Sequence, residues 1–226
     1  DGSLRAVLLQ FKADLTKPAL QLLIGGTHTV TDPAPWPIPS PLPDAVAFPS
    51  VSFLLSTNLA GSTIAVADNA GATYESQFAT YSDKHWITDG AQWDQANYYD
   101  RAYNHFVYWM RSGNLTYFQR AVALARNYRA NYLEANAYKP SPHWMLLEGQ
   151  TLHYWLTGDT LSRRAVIQSA ILTTAGFSTQ NMGDPTYLYN EGRIQARMLM
   201  ASLLSWELGD TSQDWRTKAT AYATNA

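Results

Sequence analysis

Three short stretches of the sequence combine acidic, amide, basic and aromatic side chains at helical spacing. The first is Trp93-Asp94-Gln95-Ala96-Asn97-Tyr98-Tyr99-Asp100-Arg101-Ala102-Tyr103-Asn104-His105, where Asp94, Asn97, Arg101 and Asn104 recur every three to four residues. That spacing lays them along one stripe of a helix. A polar stripe interleaved with Trp93 and Tyr98 suits a sugar, whose hydroxyls need planar donors and acceptors and whose rings need aromatic faces. The plainer reading makes Asp94 a helix cap, Asp100 and Arg101 local charges and Tyr98 a core residue. The second stretch is Ser141-Pro142-His143-Trp144-Met145-Leu146-Leu147-Glu148-Gly149-Gln150. His143 and Trp144 stand where a link meets a helix, with Glu148 one turn further in. A glycine inside a helix costs about 1 kcal/mol relative to alanine, so a neighbouring helix or a ligand is expected to come close at Gly149. The plainer reading makes His143 a cap or a satisfied structural group. The third stretch, Tyr187-Leu188-Tyr189-Asn190-Glu191-Gly192-Arg193-Ile194-Gln195-Ala196-Arg197, repeats the Glu-Gly pair. Arg193 and Arg197 are four apart on one helical face, a spacing suited to gripping a carboxylate. Alternatively, Glu191, Arg193 and Arg197 form an ion-pair network between helices.

These stretches need a scaffold, and the sequence from Trp93 onward predicts one. Ser112-Gly113-Asn114, Thr157-Gly158-Asp159 and Leu208-Gly209-Asp210 each follow a long apolar helical pattern and precede another, starting at Leu115, Thr160 and Thr211. Glycine supplies the left-handed position that ends a helix, and the following Asn or Asp caps the next. The glycines lie 45 and 51 residues apart, so three αα-hairpins are expected to form a stacked or circular array. Counting back from the glycines aligns Asn190 with Asp94. The longer links, 135–142 and 176–187, then fall on one face with the starts of the odd helices, where function concentrates in repeat architectures.

The first 80 residues read differently. Residues 4–13, 21–24, 51–55, 62–68 and 73–80 are short apolar or alternating runs separated by turn residues, which predicts strands. Between them, Thr31–Ser50 carries seven of the eleven prolines and is expected to be an extended loop outside any sheet interior. The expected fold class is therefore α+β: a β-rich sandwich or barrel over 1–85, followed by an incomplete α/α toroid over 86–226. The Asp1-Gly2 start and the helical pattern at Thr224-Asn225-Ala226 read as an internal piece of a longer polypeptide.

Composition narrows the function classes. With 16 basic and 18 acidic residues in 226, the formal charge is −2, so no basic field exists to neutralise nucleic-acid phosphates. No apolar run approaches the length of a membrane span, and no membrane insertion is expected. Eight Trp, fourteen Tyr and seven Phe argue against a disordered chain. Cysteine is absent, which excludes disulfides and thiolate chemistry. There is no Gly-rich phosphate loop, no metal-ligand spacing and no nucleophile elbow, so neither a metal nor a cofactor is expected. His85 stands near Asp83 and Asp89, but in a linker.

The opening Asp1-Gly2-Ser3-Leu4-Arg5-Ala6-Val7-Leu8-Leu9-Gln10-Phe11-Lys12-Ala13 resembles a signature of exo-rhamnogalacturonan lyase-like proteins, W-P-D-G-S-x-R-W followed by an apolar strand and F-x-A. Ala6 stands where that family often has Trp. The resemblance implies a β domain followed by an α/α toroid and, as function, binding and β-elimination of an acidic polysaccharide. It implies a base, Tyr189 or His143, with Asn190 and Arg193 neutralising the uronate, and Trp93, Asp94, Tyr98, Arg101, Trp144, Tyr187 and Arg197 holding the chain. A hydrolase would instead draw two carboxylates from Asp94, Glu148 and Glu191. The rival expectation is a non-catalytic phage virion or cell-surface protein that uses the toroid for glycan adhesion or assembly. The expected partners are a polysaccharide or surface glycan and further copies in an oligomer or larger assembly. An extracellular, periplasmic or virion-associated setting fits these partners.

Overall fold

The computed structural model of the chain describes residues 49–69, 71–93, 99–177 and 192–225. Eight α-helices follow one another: α1 (Val51–Ser56), α2 (Thr73–Asp89), α3 (Arg101–Ser112), α4 (Leu115–Tyr128), α5 (Glu148–Thr157), α6 (Thr160–Thr174), α7 (Gly192–Glu207) and α8 (Trp215–Asn225). Short 3-10 turns lie at Ala67–Asn69 and Pro142–Trp144, and a π-helical turn, Arg129–Glu134, extends α4. No strand occurs among the described residues, so the expected α+β class is corrected to an all-helical fold. The strands expected at 4–13 and 21–24, and the proline-rich loop through residue 48, lie outside the described residues.

The three other expected strands fail for identifiable reasons. Residues 51–55 form α1 because Ser50 caps them, its Oγ accepting from Phe53 N at 3.3 Å, and because Leu54 enters the core. Residues 73–80 open α2. Tyr74, Phe78 and Ser82 also fit an i, i+4 face, and Phe78 stacks on Tyr108 of α3 with ring centroids 4.0 Å apart. That tertiary face overrides the alternation and β-type composition of the segment. Between the two helices, 62–68 runs as a loop pinned to α3: Val66 N donates to Arg111 O at 2.9 Å, and Arg111 Nε donates to Ile64 O at 2.8 Å. The Arg111 guanidinium also pairs with Glu75 of α2, both side chains being buried. Helix α2 runs through residue 85, and 51–89 share a core with α3 and α4 built on Leu54, Phe106, Trp109, Phe118 and Leu124.

The three hairpins form as the glycines predict. Gly113, Gly158 and Gly209 have φ of 72°, 74° and 71°, values that glycine adopts without the penalty other residues bear. Asn114 Oδ1 caps α4 by accepting from Thr116 N at 3.0 Å, which is also the role that competes with its glycosylation-like Asn-Leu-Thr context. Asp159 caps α6 through Leu161 N and Ser162 N. The third turn is longer than expected. Asp210 Oδ2 accepts from Ser212 N, Ser212 Oγ and Trp215 Nε1, so α8 begins at Trp215 with Asp214 as its cap rather than at Thr211. The first helix of hairpin one likewise starts later than Trp93, at Arg101 behind an Asp100 cap. Helix α5 packs against α3, α4 and α6, and α6 packs on α7, so consecutive hairpins adjoin. A second core built on Tyr128, Leu133, Leu147, Val166, Met198, Trp215 and Tyr222 joins hairpins two and three. No described helix is long and apolar enough to cross a membrane.

Asp159 does more than cap α6. Its carboxylate takes Arg129 Nη1 at 3.0 Å on both oxygens, and Arg129 is buried. Removing Asp159 takes the buried counter-charge from Arg129 and leaves it the more exposed Glu134 carboxylate, 3.3 Å from its Nε; breaking a buried pair in this way is costly. Urea denaturation should therefore show D159A losing roughly 3 kcal/mol. The exposed cap variant N114A should lose only about 1 kcal/mol.

Candidate functional site

The starts of the odd helices meet, as the hairpin arrangement requires. Asp100, the cap of α3, reaches across to α5: Oδ1 accepts from Tyr103 N in its own helix and Oδ2 from Gly149 N, each at 2.8 Å. Glu148, the first residue of α5, accepts from Leu147 N at 3.0 Å. It also takes Arg197 Nη1 from α7 at 3.1 and 3.3 Å on its two oxygens. One chain of contacts thus links α3, α5 and α7. Gly149 makes it possible, since a Cβ there would lie 2.8 Å from both Ala102 Cβ and Tyr103 N and closer still to Asp100 Oδ1. The close approach expected at Gly149 is made by a neighbouring helix.

Two carboxylates in one junction perturb each other. Burial, then the Glu148 charge, pushes Asp100 up to about 7, against the pull of its two N–H donors and Arg197. The Tyr103 hydroxyl is raised by burial and by the same two carboxylates. Beside this junction, Tyr128 donates to Trp144 O at 2.5 Å and accepts from Leu146 N at 2.9 Å, fixing the link that leads into α5. Burial drives the Tyr128 hydroxyl well above its ordinary range.

The residues singled out from sequence divide three ways. Glu148 and Arg197 are brought together, and they bond each other. Arg193 is half-buried one turn earlier on α7. His143 and Trp144 occupy the Pro142–Trp144 turn against α7, and Trp144 packs on the core. Trp93 is likewise packed inward: its ring stacks on Tyr132 with centroids 3.8 Å apart, and its backbone N–H donates to Asn127 Oδ1 at 2.8 Å. Arg101 donates to Gly90 O at 3.1 Å. Asp94, Tyr98, Tyr187, Tyr189, Asn190 and Glu191 lie outside the described residues. Asp100, which the sequence offered only as a local charge, is the residue that reasoning missed.

A second feature adjoins this face. An open groove of about 480 Å³ lies between α2 and the start of α3. Tyr74, Phe78, Tyr81 and Tyr99 give it aromatic walls, while Gln77, His85, Arg101 and Asn104 supply polar groups. Tyr74 and Tyr81 are each 56% exposed and Tyr99 69%. Ser82 and His105 complete the lining. Reading 73–80 as a strand hid this groove, because only the helical period puts Tyr74, Gln77, Phe78 and Tyr81 along one face.

No family model matches the sequence, and no curated protein or solved structure matches it either.

Two predictions come from this geometry. G149A has backbone and a Cβ as its obstacles, so α3 and α5 must separate; thermal or urea melts should show a loss of about 2–4 kcal/mol. G71A, where an added Cβ meets nothing, should be near neutral. The second concerns pH. Burial holds His105 and His153 neutral down to about 4. The unfolded chain binds their protons from about 6.5 downward, so their contribution to stability is full above 6.5 and is lost as pH falls toward 4. Asp100 acts in the opposite sense over pH 4–7, because its folded form holds its proton longer. Two histidines against one aspartate leave stability rising from pH 4 to 6.5. An NMR titration should show His105 and His153 still neutral at pH 5.

Proposed function

We propose that the protein binds carbohydrate in the groove between α2 and α3. The observation that carries this reading is the lining itself. Exposed Tyr74, Tyr81 and Tyr99 stand beside the amides of Gln77 and Asn104 and the cation of Arg101 in one open groove. Flat aromatic faces pack the C–H faces of a sugar ring, and planar amide and guanidinium groups meet hydroxyls and carboxylates. The low overall charge agrees with a ligand held by stacking and hydrogen bonds rather than by a strong field.

An acidic polysaccharide remains the ligand class that the opening motif supports, and Arg101 is the groove's cation for a uronate. The elimination chemistry that the same motif implies is supported less well. Arg197 spends its guanidinium on Glu148, which favours the ion-pair alternative for that residue. Binding without cleavage, as in the glycan-adhesion alternative, needs only the groove.

Calorimetric titration with neutral and uronate-containing oligosaccharides tests the proposal. Saturable binding is expected, weakened about tenfold by Y81A, as loss of one ring contact of roughly 1.4 kcal/mol would give. The exposed position of Tyr81 leaves the fold intact. Absence of saturable binding at millimolar oligosaccharide, or equal binding by a Y74A/Y81A double variant, would overturn it. The same mixtures, followed near 235 nm for unsaturated ends, report elimination independently of binding.

A further inference from the structure

One polar arrangement occurs twice in this fold. In hairpin two, His153 Nδ1 lies 2.8 Å from Ser162 Oγ, and Arg129 Nη1 donates to both Ser162 Oγ and Asp159, at 3.1 and 3.0 Å. Between α2 and hairpin one, His105 Nε2 lies 2.9 Å from Ser82 Oγ. Arg120 Nη1 donates to both Ser82 Oγ and Asp83, at 3.2 and 2.5 Å. Each set is thus a serine, a histidine, an arginine and an aspartate, with one guanidinium nitrogen serving both oxygen groups. The two differ in their surroundings. Ser162 and His153 are fully enclosed, whereas Ser82 and His105, 8% and 4% exposed, lie at the floor of the 480 Å³ groove and form part of its lining.

Enclosure explains the first set as structural glue between helices. The second ties α2 to α3 and α4 in the same way, but the groove adds access for a small molecule. Its hydrogen-bond directions are also defined. The carbonyl of Arg101 can only accept, so His105 Nδ1, 2.8 Å away, carries the proton. Nε2 is then the lone-pair nitrogen of the neutral ring, and the Ser82 hydroxyl donates to it. A hydroxyl hydrogen-bonded to a neutral imidazole whose far nitrogen is held by an acceptor has the polarity of a nucleophile and its general base. Arg120 Nη1, paired with Asp83, also donates to the Ser82 oxygen at 3.2 Å and so fixes its position.

We propose that Ser82 and His105 are a nucleophile–base pair that cleaves small esters bound in the α2–α3 groove. Ser82 Oγ bonds to the ester carbonyl carbon as its proton passes to His105 Nε2. The bond from that carbon to the alcohol oxygen then breaks, and the departing alkoxide takes the proton from Nε2. Water, giving a proton to Nε2, attacks the acyl-serine, and collapse returns the proton to Ser82 Oγ and releases the carboxylic acid. The Arg120 guanidinium offsets the negative charge that develops beside Oγ. An O-acylated sugar is the ester that fits the aromatic walls; that substrate class rests on the carbohydrate reading, while the chemistry does not.

The test uses a small fluorophosphonate, which forms a stable bond to an activated serine with loss of fluoride. Folded wild-type protein should gain one phosphonyl group, mapped by peptide mass spectrometry to Ser82 and not to Ser162. It should also hydrolyse 4-nitrophenyl acetate at least tenfold faster than S82A. No sugar is needed, so failure of the glycan titration and failure of this chemistry are distinguishable. Ser82 unmodified at millimolar reagent in folded protein would overturn the proposal. So would labelling of surface hydroxyls alone, or equal ester hydrolysis by S82A. Should S82A fail to fold, the labelling of wild type decides alone.

Discussion

The described fold turns on one close approach, the hydrogen bond from Gly149 N to Asp100 Oδ2. A helix start has N–H groups without intrahelical partners, and a carboxylate from a neighbouring helix satisfies one of them while its charge meets the positive end of the dipole. Asp100 does this for α5 with one oxygen and for α3 with the other. The same carboxylate therefore opens α3 and docks α5. It works only because position 149 has no side chain to keep the helices apart. Hairpin one is held to hairpin two at that point, and the Glu148–Arg197 pair extends the junction to hairpin three.

Joining two acidic residues in one junction has an electrostatic cost that the surroundings offset in part. Glu148 has Arg197 and a backbone N–H; Asp100 has two backbone N–H groups but no cation of its own. Burial therefore moves Asp100 far more than its donors restrain it, and its proton is held up to about pH 7. The junction also shows why the arginine of the third stretch is occupied: Arg197 pairs with Glu148 and its charge opposes the rise of Asp100.

The hairpins were legible in the sequence because their signals are local. Gly113, Gly158 and Gly209 each mark a left-handed residue, and the Asn or Asp beside the first two caps the next helix with atoms two or three residues away. The close approach at Gly149 was legible too, although the residue stands in the first turn of α5 and not inside the helix. Asp100 was not, since its partner is 49 residues distant and a lone aspartate ahead of an arginine has the appearance of any surface charge. Segment 73–80 was misread because Tyr74, Ser76, Phe78 and Thr80 alternate as a strand would. Its helical state is decided by Phe78 stacking on Tyr108 and by Glu75 meeting Arg111, contacts that no local pattern contains. The groove was lost with it, being a property of two helices from different parts of the chain.

The helix misread as a strand is also the element that gives the hairpin array a usable surface. Helices α3 to α8 pair with one another and spend their apolar and polar groups on that pairing. Among the described residues helix α2 belongs to no hairpin, and its face toward α3 and α4 is consumed by Glu75, Phe78 and Ser82. Its Tyr74 and Tyr81 remain exposed on either side of that contact. The polar quartet around Ser162 is enclosed between hairpins one and two, whereas the one around Ser82, with Ser82 and His105 themselves buried, adjoins the groove beside α2.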